Sequence, residues 1–200
     1  MATSRTNKSI SDFKSALVGG GARPNLFEVE LTTLPGGIAW DADNFRYMCK
    51  AAALPASTIA NIDVPFRGRI FKVAGDRTIE TWSVTVINDE SFKLRNAFEE
   101  WMQLIAKLDN NLGATLPESY MTDASVYQLG RGSSASSQDS SGNENSVLKE
   151  YKMQGIFPTS LAAIDLSYDT GDTIEEFTVE FQVQSFVPYG GVGQASITQG

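Results

Sequence analysis

The sequence predicts a mainly β protein, a barrel or sandwich of about seven or eight antiparallel strands with one flanking α-helix over residues 90–109. Three observations carry that expectation. From Ile79 to Ile87 the chain alternates, with Trp82, Val84 and Val86 on one side and Thr81, Ser83 and Thr85 on the other. Immediately afterwards the period becomes helical, because Leu94, Phe98, Trp101, Ile105 and Leu108 recur every three or four residues. Finally, Phe177, Val179, Phe181 and Val183 alternate with Thr178, Glu180, Gln182 and Gln184, which is the cleanest strand pattern in the chain.

Taken in order, residues 1–21 read as an N-terminal arm with a short helix. Ile10, Phe13, Ala16 and Leu17 share a helical face, Ser9 or Ser11 can cap it, and Gly19-Gly20-Gly21 ends it. A helix this short is marginal in water, so its apolar face must dock on this protein's own core or on a neighbouring subunit. Ala22 to Leu34 carries a strand with Phe27, Val29 and Leu31 on one side, stopped by Pro35-Gly36-Gly37. A polar loop, Asp41 to Asn44, leads to a predicted strand over Phe45 to Ala53. Two further strands, Ser57 to Pro65 and Arg69 to Val73, flank the turn Phe66-Arg67-Gly68, and Gly75-Asp76-Arg77 is expected to be a second tight turn.

Past Asn88 and Asp89, which can cap the helix, and past its end at Leu112-Gly113, a strand is expected over Ala124 to Leu129. Residues 130–145 are dominated by Ser, Gly, Asn, Gln and Asp and read as an exposed loop, since they hold too little apolar surface to offset ordering entropy. Val147 to Ile156 returns as the other arm of that hairpin. Pro158-Thr159-Ser160 begins a connection, Leu161 to Ser167 runs to a turn over Tyr168 to Asp172, and the last strand follows. The barrel domain is thus expected over 22–187, with a flexible tail over 188–200.

Composition narrows the chemistry. Two hundred residues suit one β domain, and 42% apolar with 20% charged residues is the balance of a chain that builds a core. The formal charge of −8 opposes binding of polyanions by bulk attraction. There is no histidine, which removes the commonest general base and metal ligand, and a single cysteine, Cys49, cannot close an internal disulfide. No Walker-type loop or dinucleotide fingerprint is present.

Cys49 lies among alanines and reads as a buried thiol, and the pairs Glu99-Glu100 and Glu175-Glu176 read as solvated surface. Asp41 and Asp43 hint at calcium, but the ligand spacing of a calcium loop is missing. The expectation is therefore no enzyme, no cofactor and no metal. No apolar run is long enough for a signal segment or a membrane span, so no membrane partner is expected and the chain should remain in the cytoplasm where it is made.

Four blocks carry a resemblance: ARPNLFEVE (Ala22 to Glu30), CKAAALPAS (Cys49 to Ser57), VAGDRTIETWSVTVINDE (Val73 to Glu90), and IFPTSLAAIDLSYDT with IEEFTVEFQVQSF (Ile156 to Phe186). In this order and spacing the chain resembles the tail tube proteins of contractile-tailed, T-even-like bacteriophages, over most of residues 22–128 and 147–186. The loop over 130–145 departs from that pattern.

The resemblance implies a β-barrel subunit of a virion, joined into hexameric rings that stack head to tail into a hollow tube. It implies the tail sheath protein, the baseplate and the tape measure protein as partners, and DNA in transit through the bore. A tube protein of a related injection or type VI secretion machine shares these features. From a different class, a monomeric β-barrel binding module with a small apolar pocket fits the composition.

A DNA conduit should repel phosphate, so Glu28, Glu30, Glu80, Glu180 and Gln182 on polar strand faces are the candidates for lining the bore. Candidates for contacts between subunits are Ile10, Phe13 and Leu17 on the N-terminal helix, Arg23 and Asn25, and Asp76 and Arg77.

Overall fold

A computed structural model of the chain describes residues 9–17, 21–110, 112–131, 147–169 and 171–190. The core is organised by the two strands with the cleanest alternation. β5 (Trp82–Ile87) pairs antiparallel with β8 (Glu176–Gln182), Val84 opposite Val179 and Val86 opposite Phe177. Their shared inner face, with Trp82 and Phe181, is buried.

β2 (Cys49–Ala52) extends this sheet beyond β5. On the other side lies β7 (Val147–Leu161), whose last residues pair with β8 and whose first residues pair with β6 (Thr122–Leu129) and β9 (Ser185–Tyr189). β1 (Phe27–Glu30) completes the order β1-β6-β7-β8-β5-β2. The change of partners in β7 falls at Gly155, whose φ of 63° gives the strand the bend that a side chain would strain. The two halves of the curled sheet, β1-β6-β7-β9 and β7-β8-β5-β2, thereby close over one core.

α3 (Lys93–Ile105) fills that core with Leu94, Ala97, Phe98 and Trp101. The Phe98 ring lies 5.4 Å from Trp40, 6.1 Å from Phe45, 6.2 Å from Phe177 and 6.0 Å from Phe181, each an edge-on contact. Each tryptophan spends its indole N–H on a carbonyl: Trp82 on Ala53 at 2.7 Å, Trp101 on Tyr120 at 2.7 Å and Trp40 on Leu31 at 2.5 Å. Gly36, at φ 73°, turns the chain where a Cβ would sit 2.7 Å from Leu104 Cδ2.

The predicted fold class holds, and several elements differ. Residues 42–48 form a helix, α2 (Ala42–Met48), where a strand was expected. Asp41 accepts from the Asn44 N–H as its N-cap and Phe45 is its buried residue, so the expected strand shrinks to β2. α3 is shorter than residues 90–109, and Phe92 precedes it at φ 53° without a side-chain cap. Asn88 instead donates to Glu175, and Asp89 accepts from Ser91. Leu108, at the far end of the expected stripe, is exposed.

Gly75-Asp76-Arg77 is no turn. It lies inside β4 (Arg69–Ile79), with Gly75 and Asp76 bulged opposite Ala60 of β3 (Ser57–Phe66). β7 runs on through Pro158 at a register irregularity, and β9 occupies the first residues of what was read as a tail. Of the expected loop over 130–145, only Gly130 and Arg131 fall within the described residues, and residues 191–200 of the tail fall outside them.

Candidate functional site

β3 and β4 pair with each other and with no other described strand, forming a two-stranded arm separate from the seven-stranded sheet. The turn Arg67-Gly68 closes it with φ of 47° and 79°, the left-handed pair that matches strand twist in a two-residue hairpin. Ten residues of β3 give the arm a reach of about 33 Å.

The register sorts its side chains. Ile62 opposite Val73, Val64 opposite Phe71, and Phe66 beside the turn share one face, and all five are exposed. The reverse face carries Asn61, the ion pair of Asp63 with Lys72 at 3.6 Å, and exposed Ile59 and Ile70. An isolated hairpin is marginal in water and an apolar strand face left open is an aggregation hazard. Asp76 and Arg77, predicted as contact residues, lie on this arm at its bulge. The sequence reading made these two segments strands of the barrel, and no local signal in the sequence separates a strand buried within its own chain from one that a neighbour must cover.

α1 (Ile10–Ala16) is a helix as predicted, held at its start by a capping box. Ser9 accepts from the Asp12 N–H at 3.2 Å, and the Asp12 carboxylate accepts from the Ser9 hydroxyl at 2.8 Å and from its N–H at 3.0 Å. Those bonds, the hydroxyl's first, hold the Asp12 carboxyl below the usual range. Ile10, Phe13 and Leu17 stay exposed, so α1 does not dock on the core of its own chain. Arg23 and Asn25 lie at the turn before β1, where the Arg23 carbonyl accepts from Gln128 Nε2 at 2.8 Å.

The acidic candidates divide between the two outer faces of the sheet. Glu28 and Glu30 lie on the outer side of β1, beside Arg46 of α2 at 2.8 and 3.5 Å. The Tyr127 hydroxyl donates to Glu30 at 2.8 Å, and burial together with that bond pushes the phenol up to about 12. Glu180 and Gln182 lie on the outer side of β8, across the core from Glu28 and Glu30. Glu180 is flanked by Ser83 of β5 and Ser160 of β7. Thr178 and Thr85 beside it share a hydrogen bond at 3.2 Å, so this face is small, hydroxyl-bearing and free of ion pairs to Glu180 among the described residues. Glu80 stands apart at the root of the arm and accepts from the Thr58 hydroxyl at 3.1 Å.

Catalytic chemistry has little to build on. Burial pushes the Cys49 thiol up to about 12, so its reactive thiolate is scarce. Among the described residues no group of three acidic, cysteine or histidine side chains is placed to hold a metal ion, and no helix is long and apolar enough to cross a membrane.

A curled β-sheet filled by one helix, with an apolar arm and an apolar helix both left exposed among the described residues, defines a structural subunit whose distinguishing features are contact surfaces. The chain belongs to the phage tail tube protein family, whose model matches residues 22–188. It is 36% identical over 171 residues to the tail tube protein gp19 of Enterobacteria phage T4, covering 85% of this chain and 94% of that one. It is 26% identical over 177 residues to the tail tube protein of Serratia phage KSP90, covering 87% and 93%.

Solved structures share the fold. One is a chain of the anti-feeding prophage baseplate at 12% identity and a TM-score of 0.59, covering 85% of this chain and 96% of that one. Another belongs to a sheath–tube complex of an extracellular contractile injection system, at 13% identity and a TM-score of 0.52, covering 92% and 99%.

Proposed function

We propose that this protein is the subunit of an inner tail tube, assembling through hexameric rings that stack head to tail into a hollow conduit within a contractile sheath. The observation that carries this reading is the β3–β4 arm. Five large apolar side chains on one face of a two-stranded hairpin are left exposed by the described residues of their own chain. A second copy presenting the complementary surface would bury them, and a heterologous contact of this kind propagates as a ring or a filament. Apolar residues on both faces of the arm fit a strand pair enclosed on both sides, as buried strands are.

The role is structural and non-enzymatic, carried out in the virion after synthesis in the host cytoplasm. A baseplate nucleates the tube, the tape measure protein occupies it during assembly, and DNA passes through it at ejection. For the bore we favour the outer face of β8 and β5, with Glu180, Gln182 and the hydroxyls of Ser83, Thr85, Thr178 and Ser160. Glu180 keeps a net negative charge there, while Arg46 offsets Glu28 and Glu30 on the opposite side. Lys50 of β2 lies on this side too, where it is held by Glu176, so the wall stays acidic and hydroxyl-lined and keeps the passage of phosphates loose.

Electron microscopy of the purified protein across a concentration series, with and without baseplate nuclei, tests the reading. Hollow tubes or sixfold rings support it. Monomers at every concentration, nuclei included, contradict it and favour a β-barrel binding module.

A further inference from the structure

The apolar face of the β3–β4 arm ends in a cation. Ile62 pairs with Val73, Val64 with Phe71 and Phe66 with Arg69, and alternation puts all six side chains on one side, with Arg67 in the turn beside them. Neither arginine has an ion pair among the described residues. The connection from β7 to β8 has the opposite charge: residues 162–176 hold Asp165, Asp169, Asp172, Glu175 and Glu176 with no Lys or Arg. Leu166, Tyr168 and Ile174 stand exposed among them. An open cavity of about 340 Å³ lies in this connection, with Asp165, Leu166, Ile174, Glu175 and Glu176 in its walls. Lys50 holds Glu176 and Asn88 holds Glu175, whereas Asp165, Asp169 and Asp172 have no cation partner among the described residues.

We propose that the arm of one copy docks on the β7–β8 connection of a copy in the next ring, with Arg67 and Arg69 at the acidic cavity and Phe66 and Phe71 against Leu166 and Ile174. The proposal rests on the tube reading and names the surface that covers the arm.

Topology and charge together argue for this occupant. The arm is rooted at the Trp82 end of β5, where the Glu80 N–H donates to the Ala56 carbonyl at 3.0 Å and the Trp82 indole to that of Ala53. The connection lies at the other end of β5, where Ile87 pairs with Glu176 and the Asn88 N–H donates to the Glu175 carbonyl at 2.9 Å. The six residues of β5 separate these ends by roughly 17 Å. A head-to-tail contact joins two different patches, and opposite ends of one strand are where copies stacked along it meet. Another exposed apolar cluster, Leu108, Leu112 and Leu116, follows α3, which runs from Arg95 over Phe177 to Trp101 beside Phe181. That cluster therefore lies at the arm's own end and offers no head-to-tail match. At the β7–β8 connection the two unpaired arginines meet unpaired aspartates, and apolar side chains meet apolar ones.

The test is disulfide trapping in assembled tubes. With Cys49 changed to Ala, a chain carrying Arg67→Cys and Leu166→Cys is assembled under reducing conditions, oxidised and separated by mass on a denaturing gel. Docking between rings links copies along the tube without closing, so a covalent ladder running past hexamers is expected. A ladder that stops at hexamers places the contact within a ring, and a cross-linked monomer places it within one chain. Either result overturns the proposal, as does the absence of any cross-link in tubes that form normally, and all three leave the tube reading standing. A wild-type protein that forms neither tubes nor rings, even on baseplate nuclei, overturns both.

Charge reversal decides the question without cysteines. Arg69→Glu is expected to raise the critical concentration about fivefold, and adding Asp165→Arg to the same chain is expected to restore it. A double variant no better than the single one contradicts the pairing.

Discussion

Replacing Phe66 and Phe71 together by Ser separates an assembly surface from a folding core, because the two roles predict opposite results. In the isolated subunit Phe66 is 65% exposed and Phe71 66% exposed, so about two-thirds of each ring's burial is unclaimed. Full burial of a phenylalanine contributes about 1.5–3 kcal/mol, which leaves about 1–2 kcal/mol per ring for a contact with a neighbour. The pair therefore supplies about 2–4 kcal/mol of association, and at 1.4 kcal/mol per decade its loss raises the critical concentration about 30- to 1000-fold. Both side chains are exposed in the monomer, so its stability should move by no more than about 0.5 kcal/mol, or roughly 1–2 °C in Tm. Sedimentation of polymer across a concentration series reads the first quantity and thermal unfolding of the unassembled chain reads the second. A variant that polymerises at the wild-type concentration, or one whose Tm collapses while assembly persists, would refute the assignment of the arm as an interface.

Other outcomes follow from the core and the charged faces. Phe98→Ala removes the ring at the centre of the aromatic cluster and should cost about 3–5 kcal/mol, read as a Tm lower by roughly 10 °C. Cys49, its thiol pushed up to about 12 by burial, should resist iodoacetamide at pH 8.5 in the folded protein and react readily in urea. Tyr127, raised to about 12 from an ordinary value of 10.0, should stay protonated in the fold when an unfolded chain would already ionise it. Its contribution to stability is then complete below pH 10 and is lost as pH rises from about 10 towards 12; phenolate absorbance and denaturant midpoints in Tyr127→Phe and wild type check the sign. Glu180→Lys should leave tubes intact while making them retain single-stranded oligonucleotide in a salt-dependent manner, detected by co-sedimentation. Retention unchanged from wild type would remove Glu180 from the bore.

What the sequence made legible, and what it concealed, follows from what periodicity reports. Alternation in β5 and β8 and the stripe in α3 describe side chains buried within one chain, and those elements form as expected. Ile62, Val64, Phe71 and Val73 give the same alternating signal, yet they are exposed, because periodicity marks a face that wants cover without saying what covers it. Asp41 read as a loop residue and is a helix N-cap, and the seven residues after it are too few for a helical period to stand out from a strand. Pro158 suggested a break, but it keeps its place opposite Phe181, the register slips only after it, and β7 continues through it.

The acidic candidates show the same limit. Glu28, Glu30, Glu180 and Gln182 alternate with buried neighbours on their strands and Glu80 lies at the root of the arm, whereas the placing of the first four on two halves of the sheet depends on the bend at Gly155, which brings distant segments together.

The most direct test of the account is a cryo-electron microscopy reconstruction of the assembled polymer at side-chain resolution. The account predicts a hollow sixfold tube in which the β3–β4 arm of each copy is covered by neighbours and the Glu180 face lines the bore. A polymer without a bore, or a tube in which the arm stands free in solvent, would contradict it.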